Sequence, residues 1–391
     1  MSLPHLLFLT ERFPPDIGGV SRSAGRIVAS LQSLGITVDV VTWSRYLQPG
    51  EVSAEQMGLG KVYRLGLYRH WDATMPHTLN ILEGLHQASP FQAVWGHYLF
   101  PAGFLGVWFG RQHQIPTIVS ARGNDIDREL FPPGDFARLQ WTLTHASTLT
   151  AVSQDMAHKM QLVCDGLRPA CGNRTNITVL PNTLDCEVFH PLPGGELKDL
   201  RHTLGIADQE IVLGFSGELR EKKGQRFLLQ ALTQIRAQRP ACLLIIGELR
   251  SAAQSLLQTF AIDHPDHAAR VIVTGQISEP ERIVQHLNLC DVYLQPSLWE
   301  GMPNALLEAM ACERCCIASD AGGIPEVIES GQTGWLLPRS QLHRLDDAIL
   351  DCLSLSAEER QQMGQRARQF VQTRHALIQE RTQLEQLMRA L

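Results

Sequence analysis

The chain has 391 residues, of which 44% are hydrophobic and 19% are charged, as is typical of a globular protein. This length is more natural for two domains than for one hydrophobic core. The formal net charge is −6 and no basic block could neutralise a phosphate backbone, so no nucleic-acid partner is expected.

The sequence predicts no membrane span and no signal peptide. Its most apolar run, residues 99–110, is shorter than the ~20 residues that cross a bilayer, and it contains a proline. The first residues lack a basic segment.

The nine cysteines lie in apolar segments, which favours reduced thiols in a cytoplasmic protein. Most of the net negative charge lies beyond residue 190, so the nearly neutral first part is compatible with peripheral contact at the inner face of an anionic membrane.

Short apolar runs alternate with segments of helical period from one end of the chain to the other. The strands predicted in the first half are residues 5–10, 37–43, 93–98, 117–121, 148–153 and 177–182. Those predicted in the second half are residues 211–217, 242–247, 271–275, 292–297, 315–320 and 334–338. Unbroken apolar strands joined by helices predict parallel sheets covered on both faces. The fold class is therefore α/β, with two Rossmann-like, doubly wound domains.

The alternation is interrupted once, by prolines and glycines near residues 191–195. We therefore predict a first domain at residues 1–190 and a second domain at residues 191–372. A final helix at residues 373–391 is expected to pack back on the first domain. In such sheets ligands bind at the carboxyl ends of the strands, so the predicted site is the cleft between the two domains.

Two glycine-containing turns follow the first strands of the two predicted domains. Gly18 and Gly19 precede the first helix, where backbone amides can approach an anion. The same residues fit a plain strand-to-helix turn, and the dinucleotide fingerprint GxGxxG is absent. In the second domain Arg220 and Lys223 lie beside Gly224 before a helix. Cations at a helix N-terminus are unfavourable unless an anion binds there, and a diphosphate fits; the alternative is a solvated basic loop.

The segment SLWEGMPNALLEAMA, residues 297–311, holds two glutamates eight positions apart. Pro303 suits the first turn of a helix, whose free amides can hold a diphosphate. In a nucleotide sugar the diphosphate lies between the sugar and the ribose. Glu300 precedes the helix terminus and is placed for the hydroxyls of the sugar, whereas Glu308 lies inside the helix and is placed for those of the ribose. The alternative puts Glu300 in a loop and Glu308 on a solvated face, although its neighbours are apolar.

These motifs resemble the retaining glycosyltransferases of family 4, also called group 1, which have the GT-B fold. The Glu300–Glu308 spacing matches the E-x7-E element of such enzymes, and residues 296–338 continue the likeness. Further matches are PPDIGGVSR, VLPNTLDCEVFHP and SGELREKKG, at residues 14–22, 179–191 and 216–224. The resemblance covers nearly the whole chain.

The resemblance implies a nucleotide diphosphate-sugar donor, a hydroxyl acceptor and no further cofactor. It also implies that residues 1–190 form the acceptor-side domain and residues 191–372 the donor domain. Gly19 would approach the donor phosphate or sugar, and Lys223 would neutralise the diphosphate. Glu300 would hold the donor sugar and Glu308 the ribose. The backbone expected to contact sugar and phosphate comprises Gly301, Met302, Pro303, Asn304 and Ala305. The residues expected beside the base are Gln276 and Ile277.

The chain departs from the family pattern at two positions. Glu218 stands where the family often has an arginine, so Arg220 is the expected substitute as second phosphate cation. Arg122 stands where many members have a histidine, and Arg122 with Asp125 is expected to shape the acceptor or donor-sugar pocket. His97, after another strand, is an acceptor-side candidate, although a lone histidine is more often structural.

The resemblance implies attack on the same face of the sugar, with the departing phosphate oxygen taking the acceptor proton. No metal is expected, because side chains and helix amides supply the positive charge. The alternatives are a nucleotide-sugar epimerase or a phosphorylase of the same fold, or a nucleotide-sugar-binding protein without catalysis.

Overall fold

The computed structural model describes residues 5–123, 125–130, 132–166 and 177–391. The chain divides into two compact units. The first unit comprises residues 1–182 and returns at residues 377–391, and the second comprises residues 183–376. Each unit is built on its own sheet.

The strands are mostly short and apolar, as buried parallel strands are. They are β1 His5–Thr10, β2 Thr37–Ser44, β3 Val52–Met57, β4 Gly60–Gly66, β5 Ala93–His97, β6 Thr117–Ala121, β7 Thr148–Ala151, β8 Ile177–Val179, β9 Ile211–Ser216, β10 Ala241–Ile246, β11 Val271–Val273, β12 Val292–Gln295, β13 Cys315–Ser319 and β14 Trp335–Leu337.

The helices fill the connections between the strands and form the end of the chain. They are α1 Gly19–Ser33, α2 Trp71–Ala88, α3 Phe104–His113, α4 Asp125–Glu129, α5 Pro133–His145, α6 Gln154–Asp165, α7 Lys198–Thr203, α8 Gln225–Arg236, α9 Ser251–Asp263, α10 Pro265–Ala268, α11 Pro280–Asn288, α12 Asn304–Ala311, α13 Leu345–Ser354, α14 Ala357–Arg374 and α15 Leu377–Arg389.

The described part of the first unit holds an eight-stranded sheet in the order β3-β4-β2-β1-β5-β6-β7-β8. Alternate residues of β1 serve two different cores. Leu6 and Phe8 join a core with α1 and α15, whereas Leu7 and Leu9 join a core with α2 and α3. Since side chains alternate across a strand, helices cover both faces of this sheet.

The second unit holds a six-stranded sheet in the order β11-β10-β9-β12-β13-β14, and every pairing in it is parallel. The chain winds outward from β9 to β11, returns to β12 beside β9, and winds outward again to β14. The strand order therefore reverses between β9 and β12, which is the point where ligands bind in doubly wound sheets. Two parallel-sheet α/β domains confirm the predicted fold class.

The hairpin of β3 and β4 was not predicted from the sequence. These strands pair antiparallel at the edge of the first sheet. Every residue of β3 is exposed or half-buried, so its sequence VSAEQM lacks the apolar run that identified the other strands. The prediction of parallel sheets was wrong at this one edge.

The eight described cysteines are free and buried, and Cys171 lies outside the described residues. Within the part of the chain that the structure describes, no helix is both long enough and apolar enough to span a bilayer.

The helix α15 is held to the first unit by a buried ion pair as well as by Leu384 and Leu387, which join the core beside α1. Arg26 donates from Nε to the Glu380 carboxylate at 2.8 Å, and Ser30 donates to the other oxygen at 2.9 Å. Glu380 is fully buried. The pair joins two segments more than 350 residues apart in sequence.

Glu380→Ala should lower the free energy of unfolding by about 3 kcal/mol, because Arg26 then lacks this buried carboxylate. The matched control is Glu385→Ala, also on α15, whose carboxylate lies half-exposed beside Arg389. The control should change stability by less than about 0.5 kcal/mol. Urea unfolding measures both variants, and equal effects would contradict this role of Glu380.

Candidate functional site

The loops after β9 and β12 meet at the reversal point of the second sheet. Leu298 donates its backbone N–H to the carbonyl of Lys222 at 2.7 Å, which joins the two loops directly. Gly224 has a φ of 73°, and a Cβ there would lie 2.0 Å from the carbonyl oxygen of Pro296. Glycine at position 224 therefore permits this close approach.

Lys223 and Glu300 form an ion pair across these loops, from Nζ to Oε1. Both side chains are mostly buried. The same Oε1 accepts from Ser297 Oγ at 3.0 Å and lies 3.5 Å from Gln295 Nε2. The structure thus brings together two residues that the sequence predicted separately, and fixes the carboxylate with hydroxyl and amide donors.

A chain of hydrogen bonds extends this arrangement into the sheet. Tyr293 donates to Gln295 Oε1 at 2.9 Å, and Gln295 donates to Ser297 Oγ at 2.8 Å. All three residues are buried. None of the three was predicted from the sequence as a site residue. Their spacing could have indicated the network, because polar residues at every second position share one face of a strand.

The helix α12 begins at Asn304, immediately after the Glu300 loop. Pro303 takes the N-cap position with extended backbone, one residue before the first turn where it was expected. The first amides of a helix have no carbonyl partner within it, and they include those of Asn304 and Ala305. Asn304 Oδ1 is buried and has no hydrogen-bond partner among the described residues. Gly301, Met302 and Pro303 are buried in the preceding loop.

Glu308 lies in the interior of α12 and is only 4% exposed. This placement excludes the alternative of a solvated helix face. Burial raises the pKa of Tyr293, on the neighbouring strand, well above its usual range, and the charge of Glu308 adds to that effect. The carboxylate therefore lies close to the buried end of β12 and is held away from water.

Basic side chains surround the ion pair. Burial lowers the pKa of Lys222; the charge of Glu300 opposes this, and the cations Lys223 and Arg220 reinforce it. Arg220 is half-exposed and forms an ion pair with Glu218, the residue that departs from the family pattern. Arg220, the expected second phosphate cation, is therefore close to Lys222 and is paired with the Glu218 carboxylate.

Gln276 and Ile277 lie in the loop after β11, at the edge of the sheet beside β10. Gln276 is exposed and Ile277 is half-buried. Since all strands of this sheet are parallel, this loop leaves from the same edge as the loops that carry Lys223 and Glu300. One strand, β10, lies between β11 and β9, whose loop carries Lys223, and two strands, β10 and β9, lie between β11 and β12, whose loop carries Glu300.

In the first unit, Gly18 and Gly19 lie at the start of α1, after β1. Gly18 is the N-cap residue with a φ of 124°, and a Cβ there would meet no atom within 4 Å. Gly19 is exposed. The turn therefore presents open backbone at the N-terminus of a 15-residue helix.

His97 is fully buried at the end of β5. Its Nε2 lies 3.1 Å from Ser23 Oγ and its Nδ1 lies 3.4 Å from Thr10 Oγ1. Burial, together with the charges of Arg122 and Arg26, lowers the pKa of His97 well below its usual range. A neutral imidazole enclosed between two hydroxyls fits the structural role, and this geometry gives no support to acceptor-side catalysis.

Arg122 and Asp125 are both buried and organise the turn after β6. Asp125 accepts from the backbone N–H of Arg122 at 3.1 Å and of Gly123 at 3.0 Å. The Arg122 guanidinium donates to Leu180 O at 2.9 Å and Asn182 Oδ1 at 2.6 Å. Burial lowers the pKa of Arg122 to about 9, and Arg26 contributes to this shift. These bonds tie two strand ends together, so the structure shows a supporting role for both residues.

The described residues contain no group of three or more His, Cys, Asp or Glu side chains arranged to hold a metal ion. Asp127 Oδ1, two residues after Asp125, lies 3.2 Å from Lys159 Nζ.

Comparison with known families identifies both units. The family described as Glycosyl transferases group 1 matches residues 198–370. The family described as Glycosyl transferase 4-like domain matches residues 18–183. Each match falls within one predicted domain, and together they span most of the chain.

Curated relatives of similar length include two bacterial enzymes. A GDP-mannose-dependent monoacylated alpha-(1-6)-phosphatidylinositol monomannoside mannosyltransferase from Corynebacterium glutamicum is 25% identical over 89% of this chain and 88% of that protein. An alpha-maltose-1-phosphate synthase from Mycolicibacterium smegmatis is 28% identical over 85% of this chain and 84% of that protein.

Solved structures show the same fold. The Anabaena protein HepE in complex with UDP-glucose has a TM-score of 0.81 at 19% identity, over 99% of this chain and 100% of that chain. Sucrose-phosphate synthase from Thermosynechococcus elongatus has a TM-score of 0.80 at 18% identity, over 99% of this chain and 98% of that chain. Family matches in both units and this shared architecture lead to one conclusion: the chain belongs to the group 1, or family 4, glycosyltransferases of the GT-B fold.

Proposed function

We propose that the chain transfers a sugar from a nucleotide diphosphate donor to a hydroxyl acceptor, with retention of anomeric configuration and without a metal ion. One observation carries this proposal: Lys223, Glu300 and the start of α12 lie together at the strand-order reversal of the second sheet. Cations and free helix amides at such a point suit a diphosphate.

The electrostatics of the cluster fit a departing diphosphate. Lys223 has three N–H donors, so it can contact both Glu300 and a phosphate oxygen. The amides of Asn304 and Ala305 add fixed dipoles at the positive end of α12. Because these groups are already held in place, they stabilise charge that develops on the leaving group with little reorganisation.

Oxygen atoms that accept hydrogen bonds in this part of the second unit suit the hydroxyl groups of the nucleotide sugar. We assign the sugar to Glu300 and the ribose to Glu308, with the base beside Gln276 and Ile277. Gln225 Oε1, at the start of α8, is buried and lacks a hydrogen-bond partner among the described residues. A donor hydroxyl would satisfy such an atom.

In the proposed transfer, the acceptor hydroxyl attacks the sugar on the same face from which the diphosphate departs. The bond from the anomeric carbon to the diphosphate oxygen breaks, and a bond from that carbon to the acceptor oxygen forms. The acceptor proton passes to the departing phosphate oxygen. In this scheme Glu300 binds the sugar and forms no covalent bond to it.

We further propose that the hydroxyl acceptor is linked to a lipid and that the transfer takes place at the inner face of a membrane. The relative from Corynebacterium glutamicum is named for a phosphatidylinositol monomannoside. In this chain Trp108 is 48% exposed on α3, and its ring centroid is 6.0 Å from that of Trp141 on α5. The Arg138 guanidinium lies 4.4 Å from the centroid of the Phe100 ring. An exposed tryptophan within an aromatic cluster is typical of proteins that contact membrane interfaces.

Lys223→Ala and Glu300→Ala should each lower kcat/KM for the donor by about 100-fold or more, because each removes a preorganised contact. Release of the nucleoside diphosphate from a panel including UDP-glucose and GDP-mannose measures this. Glu300→Gln preserves the shape of the side chain and guards against a folding defect, and Lys198→Ala is an exposed control in the same unit. Unchanged donor kinetics in the Lys223 and Glu300 variants would refute the assignment.

Protein treated with a chelator should keep its transfer rate, because protein groups supply the positive charge. Proton NMR of the product should show the anomeric configuration of the donor. A rate lost on chelation and restored by a divalent cation would contradict metal independence, and an inverted product would contradict retention.

Trp108→Ser should weaken binding to vesicles of anionic phospholipid by at least about fivefold, since it removes an exposed interfacial ring. The control is Trp299→Ser in the second unit, which removes a tryptophan of similar exposure, 44%. Vesicle sedimentation measures both. Equal binding by wild type and the Trp108 variant would contradict a membrane role for this face.

A further inference from the structure

Two arginines converge on Glu218 at the carboxyl ends of β9 and β10. Arg250 Nε lies 2.8 Å from Glu218 Oε1, and Arg220 pairs with Glu218 Oε2. Arg220 belongs to the loop that carries Lys223, whereas Arg250 comes from the loop between β10 and α9. Both arginine side chains are about half-exposed, at 46% and 56%.

The backbone fixes these two loops against each other. The amide of Gly217 donates to the carbonyl of Ile246 at 2.9 Å. Gly247 has a φ of 157°, and a Cβ there would lie only 2.3 Å from the carbonyl oxygen of Gly217. Only glycine fits this contact, so the β10 loop that carries Arg250 lies directly beside the β9 loop.

The positions of both arginines are electrostatically unfavourable without an anion. Arg250 is the N-cap residue of α9, and Arg220 precedes the short helix that leads into α8. A cation at a helix N-terminus opposes the helix dipole. Glu218 supplies one negative charge for two guanidinium groups, which leaves a net positive charge beside Lys222 and Lys223.

We propose that Arg250 is a second arginine ligand for the donor diphosphate, and that Glu218 positions it beside Arg220. This inference rests on the proposed function of the site. Arg250 uses Nε on Glu218, so its two Nη groups can engage phosphate oxygens in the bidentate manner of arginine. Glu218 stands where the family often has an arginine. In this inference its carboxylate instead holds Arg220 and Arg250, which supply the positive charge from other positions.

Isothermal titration calorimetry with UDP and GDP tests the role of Arg250. The nucleotide that wild type binds more tightly is compared with its own monophosphate. Arg250→Ala should weaken diphosphate binding by about tenfold and monophosphate binding by less than about threefold, because the lost contacts are with the diphosphate. Arg250→Lys should recover part of the loss, since it keeps the charge without the fork.

The matched control is Arg344→Ala. Arg344 Nε lies 2.9 Å from Asp347, and its side chain is 58% exposed, so the control also removes an exposed ion pair in the second unit. It should leave nucleotide binding unchanged. Equal losses for the diphosphate and the monophosphate with Arg250→Ala, or no loss for either, would overturn the inference.

The positioning role of Glu218 is tested by combining variants. In the Glu218→Gln background, Arg250→Ala should cost less than about threefold in diphosphate affinity, because Arg250 is no longer held in place. A tenfold cost in both backgrounds would overturn the positioning role. If Lys223→Ala weakens binding and Arg250→Ala does not, only this inference fails; a wild type that binds neither nucleotide refutes the proposed function as well.

Discussion

The ion pair between Lys223 and Glu300 joins the loops after β9 and β12, and the rest of the candidate site is arranged around it. Neither charge can be buried at low cost without the other. Ser297 and Gln295 hold the carboxylate, and the close contact of Gly224 with Pro296 brings the two loops together. This pair therefore fixes a cation and an acid at the reversal point of the sheet before any donor binds.

The two units use buried charge in different ways. In the first unit, Arg26 and Glu380 tie α15 to α1, and Arg122 ties the end of β6 to the segment after β8. These charged groups bond to other groups of the same unit and support its shape. In the second unit, Arg220, Lys223 and Arg250 lie in the loops that lead into α8 and α9. Cations close to helix N-termini are favoured where an anion binds, which supports the assignment of the donor site to these loops.

Much of the fold could be predicted from sequence because buried parallel strands are unbroken apolar runs. The exposed edge strand β3 lacks that pattern and was missed. The E-x7-E element located α12 and its loop, yet one-dimensional spacing could not show that Glu300 pairs with Lys223, 77 residues earlier. His97 illustrates the opposite case: its chemistry suggested catalysis, and only the hydroxyls of Thr10 and Ser23 showed an enclosed imidazole. Arg250 carried no motif and emerged from its contact with Glu218.

A crystal structure of the chain with its tighter-binding nucleoside diphosphate tests the central claim most directly. The account predicts phosphate oxygens within hydrogen-bond distance of Lys223 Nζ and of the Asn304 and Ala305 amides, with the ribose against Glu308. A nucleotide bound away from the start of α12, with Lys223 and Glu300 still paired only to each other, would contradict it.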